Sequence, residues 1–459
     1  MTLASVRRAQ LRAATAVACL AAAPHAALAD DARIAALEAQ VQALMAQVQA
    51  LQVAQAAAPI PAAAPAAQPI VARAPSGAVT IQQPPTEGVS GHPFYPAAPE
   101  GRRTGVLGTG NDRFRLTLSG QINRSINTVD DGNDTDAYFV DNENASTRFR
   151  ILGETAEYEG WKALSLFEFE YLSNRSLTVN QLNQSGNEQI SRRLLDLGLS
   201  NNRYGSVFLG HGWMASDGTS ELDISGVTTP AWPSIHFGYG GMLFTDDAGI
   251  VDTDPATAGI QGRSVFAAMD SLDGLSRRDR IRYNTPVVAG FQLSASVAAD
   301  DAYDAALRWS GSTDWAQFLV GASYWADEES AGGFDGMSAS GTIRLAGNDA
   351  WYDGISLVGA VARKEFDDRA NEPFYWYGKL AYVTDIWEFG RTGFAVNYAS
   401  YDEFAAVDEK GEMVGVGFSQ NVDPLGLELY ANINFLTLDS DSFDYNDMTV
   451  LQTGAMVRF

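Results

Sequence analysis

The side chains in this sequence that could act on other molecules are charges rather than nucleophiles. Arg280 and Arg282 flank Ile281 and precede Tyr283, so in an extended strand the two guanidinium groups share one face while the apolar pair takes the other. The same alternation places Arg115, Arg148, Arg150 and Arg192 together on the polar faces of their own segments. The stretch from Trp213 to Arg277 carries Asp217, Glu221, Asp223, Asp246, Asp247, Asp252 and Asp254. Carboxylates facing arginines across a narrow aqueous space would set up a transverse field, which orients polar solutes and penalises apolar ones.

Catalytic sets are poorly supported. The histidines are His25, His92, His211 and His236, and two of them fall in segments read below as leader and tether, so no zinc triad is available. A hydrolase would need a Ser/His pair built on His211 or His236. Neither Gly-x-Ser-x-Gly nor a phosphate-cradling glycine loop occurs, since Gly415 and Gly417 lack a third glycine. The acidic run from Asp130 to Asp136 lacks EF-hand order and would bind calcium only adventitiously. The expectation is no enzyme activity, no cofactor and no resident metal.

Composition narrows the class further. Arg7, Arg8 and Arg12 precede an Ala-rich apolar stretch that closes on Ala27-Leu28-Ala29, the pattern of a secretory signal peptide over 1–29. Cleavage after Ala29 removes Cys19 and three arginines but no carboxylate, taking the net charge from −25 to −28 and leaving no thiol. Acylation at Cys19 competes, but the Ala-x-Ala site fits better. So acidic a chain is repelled by phosphate backbones, which argues against nucleic acid as a partner. Beyond the leader no run reaches the ~18 apolar residues of a membrane helix.

These charges must be positioned by the elements around them. Ile34, Leu37, Val41, Leu44, Val48 and Leu51 alternate spacings of three and four, which predicts a short parallel coiled coil over 30–53; a lone amphipathic helix is the competing reading. β-Branched residues at a with Leu at d lean toward two strands, at odds with the three that the family described below would require. Residues 54–112 form an Ala/Pro-rich linker, and the β domain runs over 113–459. Sixteen segments in it read as strands, beginning near Arg113, Thr147, Trp161, Glu188, Arg203, Arg278, Gly290, Ala302, Asp314, Phe334, Gly354, Phe374, Trp387, Glu412, Leu427 and Met448. Most have the ~9–12 residues that a tilted strand needs to cross a bilayer. Their connections alternate between short ones and long acidic ones, as in outer-membrane barrels, with two exceptions at 299–301 and 347–353. Trp161, Tyr204, Tyr283, Trp309, Trp315, Trp325, Trp351, Trp376 and Trp387 sit near strand ends and are expected in two aromatic girdles.

The last strand ends on an aromatic with nothing polar after it. Gln452, Gly454, Val457 and Phe459 resemble the terminal signal by which outer-membrane barrels are recognised by their assembly machinery. The segments from Arg203 to His211 and from Arg278 to Phe291 resemble the fifth and sixth strands of trimeric general porins, and the acidic run 130–144 resembles the alphaproteobacterial branch. The resemblance covers 113–459 and implies an all-β fold: a transmembrane antiparallel barrel of about sixteen strands, forming a homotrimer in outer-membrane lipid. It implies that the loop 213–277 folds into the barrel and constricts it, setting Glu221 and Asp223 against Arg115, Arg148, Arg150, Arg192, Arg280 and Arg282. The function it implies is passive diffusion of small hydrophilic solutes, weakly cation-selective given the charge. The leader departs from the commonest members and resembles that of some specialised porins, which keeps a substrate-specific, dicarboxylate-type channel as an alternative. A barrel anchored to peptidoglycan through a periplasmic segment 30–53 is the other.

Overall fold

The computed structural model describes residues 107–459 apart from 112, 187, 248, 250–262, 300, 331 and 346–353. The expected signal segment and coiled coil, most of the linker, and Trp351, Asp252 and Asp254 lie outside the described residues. Among the described residues no helix is long and apolar enough to cross a membrane.

The chain is built almost wholly from strands. The first nine are β1 (Leu107–Asn111), β2 (Phe114–Asp130), β3 (Thr135–Asp141), β4 (Arg148–Thr155), β5 (Trp161–Leu172), β6 (Gln189–Asn201), β7 (Gly205–Trp213), β8 (Arg277–Asn284) and β9 (Phe291–Ala298). Then come β10 (Ala302–Ser312), β11 (Ala316–Asp327), β12 (Phe334–Leu345), β13 (Gly354–Phe366), β14 (Phe374–Trp387), β15 (Gly390–Asp402), β16 (Lys410–Val422), β17 (Leu427–Asp439) and β18 (Met448–Arg458). From β4 onward each strand pairs antiparallel with the next, and β18 pairs back onto β2. The sheet therefore closes into a barrel, and only the short β1 and β3 pair on one side alone.

Along one flank of β2, residues 124–130 face β3 and 114–121 face β4. A single 3-10 turn, Glu143–Ala145, separates those two strands, so together they fill one place in the wall, while β1 is a short hairpin partner for the start of β2. The result is the expected barrel of sixteen staves. Every predicted strand start lies within three residues of an observed one, so sequence and structure differ in register and packing rather than in location.

Period-two alternation explains why these segments close around a polar interior. On β8, Ile281 and Tyr283 are exposed on the outside while Arg280 and Arg282 are buried inside; on β10, Leu307 points out and Asp304 and Arg308 point in. Aromatics mark both rims: Trp161 stacks on Tyr204 at the short-turn end, and Tyr303 packs against Tyr324 at the long-loop end. Trp325 departs from the expected girdle. It is 2% exposed, points inward, and lies over Gly336, where any Cβ would collide with its ring.

The β18–β2 seam that closes the barrel extends to Phe459. Gly120 donates to the Phe459 carbonyl at 2.8 Å and accepts from the Phe459 amide at 3.0 Å. A Cβ at Gly120 would lie 2.6 Å from the Phe459 ring, so only glycine admits the terminal aromatic there.

Candidate functional site

The connection between β7 and β8 folds into the barrel, and its root is fixed by the wall. Met214 donates to the Ser276 carbonyl at 2.9 Å, pinching the loop closed where it leaves the two strands. Arg280 donates to the Trp213 carbonyl at 2.9 Å and makes a bidentate pair with Asp196 at 2.9 and 2.7 Å. Arg282 donates to the Met214 carbonyl at 3.0 Å. Both arginines thus face inward, and both hold the loop root.

From there the loop follows the inner wall. Ser216 donates to Asp304 of β10, Thr219 reaches Ser323 and Ser338 of β11 and β12, and the Leu222 amide donates to Ser340. Asp223 pairs with Lys379 of β14, whose ammonium also donates to the Val227 and Ala231 carbonyls at 2.9 and 2.6 Å. Further on, the Gly238 carbonyl accepts from Gln452 of β18 at 2.9 Å and from Asn127 of β2 at 2.8 Å. Toward the long-loop end the filling becomes apolar. Ile235, Tyr239, Met242, Phe244, Val265 and Met269 form one buried cluster with inward side chains of the wall, among them Val358, Tyr375, Tyr401, Met413 and Val450. Tyr375 adds a hydrogen bond to the Pro233 carbonyl at 3.0 Å. The described residues of the loop thus form a folded insert with a buried apolar core.

Between β4 and β6 the interior is charged instead. Arg150 donates to Glu168 through Nε at 2.7 Å, Arg193 donates to the other oxygen of Glu168 at 2.9 Å and to Glu170 at 2.6 Å, and Arg148 lies 3.6 Å from Glu168. The arginine side chains are 22%, 15% and 13% exposed for Arg148, Arg150 and Arg193, against 1% for that of Glu168. The arginine side chains are thus partly open to the lumen, with the carboxylate buried among them.

On the loop, burial pushes the Asp217 carboxyl up to about 7 against the pull of Arg277, Arg282 and Arg308, and pushes Asp273 up to about 6. Glu221 is raised by burial and by Asp273, and its carboxylate accepts from Ser234 and Ser271. Among the described residues no group of three or more His, Cys, Asp or Glu side chains is placed to hold a metal ion. In the acidic run 130–136, Asp131 caps its own turn, accepting from the amides of Asn133 and Asp134 at 3.1 and 3.0 Å.

The residues singled out from sequence separate into groups. Arg148 and Arg150 stand side by side in the charged row, and Arg115 is exposed near the start of β2. Glu221 and Asp223 are buried in the loop's own contacts. Arg192 lies on the outer face, against the inward expectation. A bulge opposite Glu168 and Phe169 inserts one residue into β6, turning Arg193 inward and leaving Arg192 to pair with Asp279 at 3.3 Å beside His211. In the terminal strand Gln452 is buried in the amide network, Gly454 makes room for the Tyr430 ring, and Val457 and Phe459 point outward. Glu168, Glu170, Arg193 and Lys379 escaped the sequence reading. The alternation of Glu168 and Glu170 with Phe167, Phe169 and Tyr171 was the available signal for the first two.

Residues 62–441 match the Gram-negative porin family. Among solved structures, the chain is similar to OmpT (in-vitro folded), an outer membrane protein of Vibrio cholerae, at 12% identity over 78% of this chain and 100% of that one, with a TM-score of 0.50. It is similar to the anion-selective porin from Comamonas acidovorans at 16% identity over 75% of this chain and 100% of that one, with a TM-score of 0.50. At these identities the likenesses show the fold. Comparison with curated proteins finds no match. With a closed sixteen-stave barrel, a charged interior and a family match over most of its length, the chain belongs to the Gram-negative porins and is a channel of the outer membrane.

Proposed function

We propose that this channel passes small hydrophilic solutes and ions by diffusion along the β4–β6 wall, with a weak preference for cations. The observation that supports this path is the distribution of contacts. Hydrogen bonds seat the loop against β10, β11, β12, β14, β18 and β2, whereas β4 to β6 present arginines partly open to water. In this reading Arg148, Arg150 and Arg193 line the path. Arg280, Arg282, Glu221 and Asp223 act on it indirectly by fixing the loop, and Arg115 stands near one mouth. The net charge of −25 favours cations at the entrances, and Glu168 and Glu170 together offset two of the three wall arginines. The test is the reversal potential of purified protein in a planar bilayer under a potassium chloride gradient. A modest bias toward potassium supports the reading; blockade of the current by one solute at low concentration would favour a substrate-specific channel.

The assembly we propose is a homotrimer with the β18–β2 wall toward a neighbouring copy. Arg124 stands on the outer face between Ile122 and Ile126 with its side chain 45% exposed, held by Asp141 at 3.6 Å and the Ser173 carbonyl at 3.1 Å. A lipid-facing arginine at mid-depth costs ~2–4 kcal/mol, which favours a protein neighbour there. The assembly machinery, reading Gln452, Gly454, Val457 and Phe459, and peptidoglycan, through residues 30–53, complete the proposed partners.

A further inference from the structure

We infer that Glu168 is a specificity-determining residue of the channel: a buried counter-charge that restrains Arg148, Arg150 and Arg193 and keeps the pore from favouring anions. This rests on the diffusion reading above. Glu168 is 0% exposed, yet three guanidinium groups converge on its carboxylate from two neighbouring strands. Register sets this geometry, because Arg150 is the direct cross-strand partner of Glu168 on β4 and the β6 bulge swings Arg193 in from the other side. Arg193 also holds Glu170, so three cations face two carboxylates.

The exposed surface of the cluster is positive and its negative charge is buried. A passing ion therefore feels the cations at short range, reduced by a carboxylate it cannot touch. Guanidinium groups do not lose their protons in proteins. Removing the Glu168 charge thus leaves the full positive charge in place and takes away much of what offsets it. It also replaces one of the two acceptor oxygens by an NH2 donor, so that either Arg150 or one arm of Arg193 loses its partner. A purely structural ion pair would behave differently: its loss would alter stability or conductance noise and leave the ratio of anion to cation permeability where it was.

The experiment measures reversal potentials of the full-length channel in a potassium chloride gradient for four proteins: unsubstituted, Glu168→Gln, Arg193→Gln, and Glu168→Gln with Arg150→Gln. Glu168→Gln should shift the permeability ratio toward chloride by roughly fivefold, the factor expected when one unit charge about 8 Å away in a high-dielectric medium is removed and the two ions respond in opposite directions. Arg193→Gln should shift it toward potassium. The double variant, which loses one charge of each sign, should return close to the unsubstituted value. A folded, conducting Glu168→Gln channel with an unchanged ratio overturns the assignment. Should Glu168→Gln fail to fold, Arg193→Gln and the double variant decide: an unmoved ratio in the first, or a chloride-shifted ratio in the second, is equally contrary. An unsubstituted protein that folds and passes no current removes the diffusion reading itself, a result distinct from all of these.

Discussion

Lys379 and Asp223 are both withdrawn from water, with side chains 0% exposed, and each is the other's principal charge partner. Breaking such a pair from one side leaves a buried charge uncompensated and costs about 3–5 kcal/mol, whereas replacing both partners with apolar groups is often close to neutral. Lys379→Met should therefore loosen the loop, seen as rapid protease cleavage between residues 214 and 240. Lys379→Met combined with Asp223→Leu should recover most of the resistance. Equal susceptibility in the single and double variants would show that the pair does not seat the loop. Asp217 gives a second handle. Burial raises its carboxyl to about 7, well above the unfolded carboxylate value near 3.9. Between those limits the seated loop binds more protons than the released one, so its seating strengthens as pH falls from about 7 to about 4 and weakens as pH rises through that window. Hydrogen-exchange protection at residues 215–220, corrected for intrinsic rate, should rise on acidification. In Asp217→Asn that slope should flatten.

At the scale of elements, the alternation of apolar and polar residues located the strands, and it aimed Arg280 and Arg282 correctly because Ile281 and Tyr283 share β8 with them. It failed where alternation is silent. The bulge in β6 shows in the sequence only as two adjacent arginines, and which of them turns inward depends on the pairing with β5. The apolar core was equally hidden. Val358, Ala360 and Ala362 alternate with Leu357 and Val361, so β13 is apolar on both faces, and nothing local says that its inner face meets the inserted loop. Trp325 was misread for the same reason: the pocket that receives it is made by Gly336 on the next strand. The closing strand, in contrast, was legible down to its last residue, and its packing gives a controlled prediction. A side chain at Gly120 would meet the Phe459 ring at 2.6 Å and the Arg148 carbonyl at 2.8 Å, while one at Gly378 meets nothing within 4 Å. Gly120→Val should sharply lower the yield of heat-modifiable, folded barrel in the outer membrane, and Gly378→Val should leave it unchanged. Equal yields would mean that the terminal aromatic does not need its glycine seat.

The whole molecule joins two packing regimes in one wall: an outer face that is largely apolar, and an interior divided between a loop-filled sector and a charged one. The charged sector follows from sequence only in part, because arginines can be counted along a chain but the side of the barrel left uncovered by a long loop is a tertiary fact. That division is the central claim, since it says where solutes pass. It can be tested in single channels, because the chain has one cysteine, Cys19, and in a Cys19→Ser background an introduced thiol is unique. In a planar bilayer, Arg150→Cys exposed to a charged methanethiosulfonate reagent should lose current in discrete steps, while Ser340→Cys, beneath the loop, should not respond. Current that is blocked through Ser340→Cys while a fully labelled Arg150→Cys channel conducts unchanged would place the path on the opposite side of the loop and contradict the account.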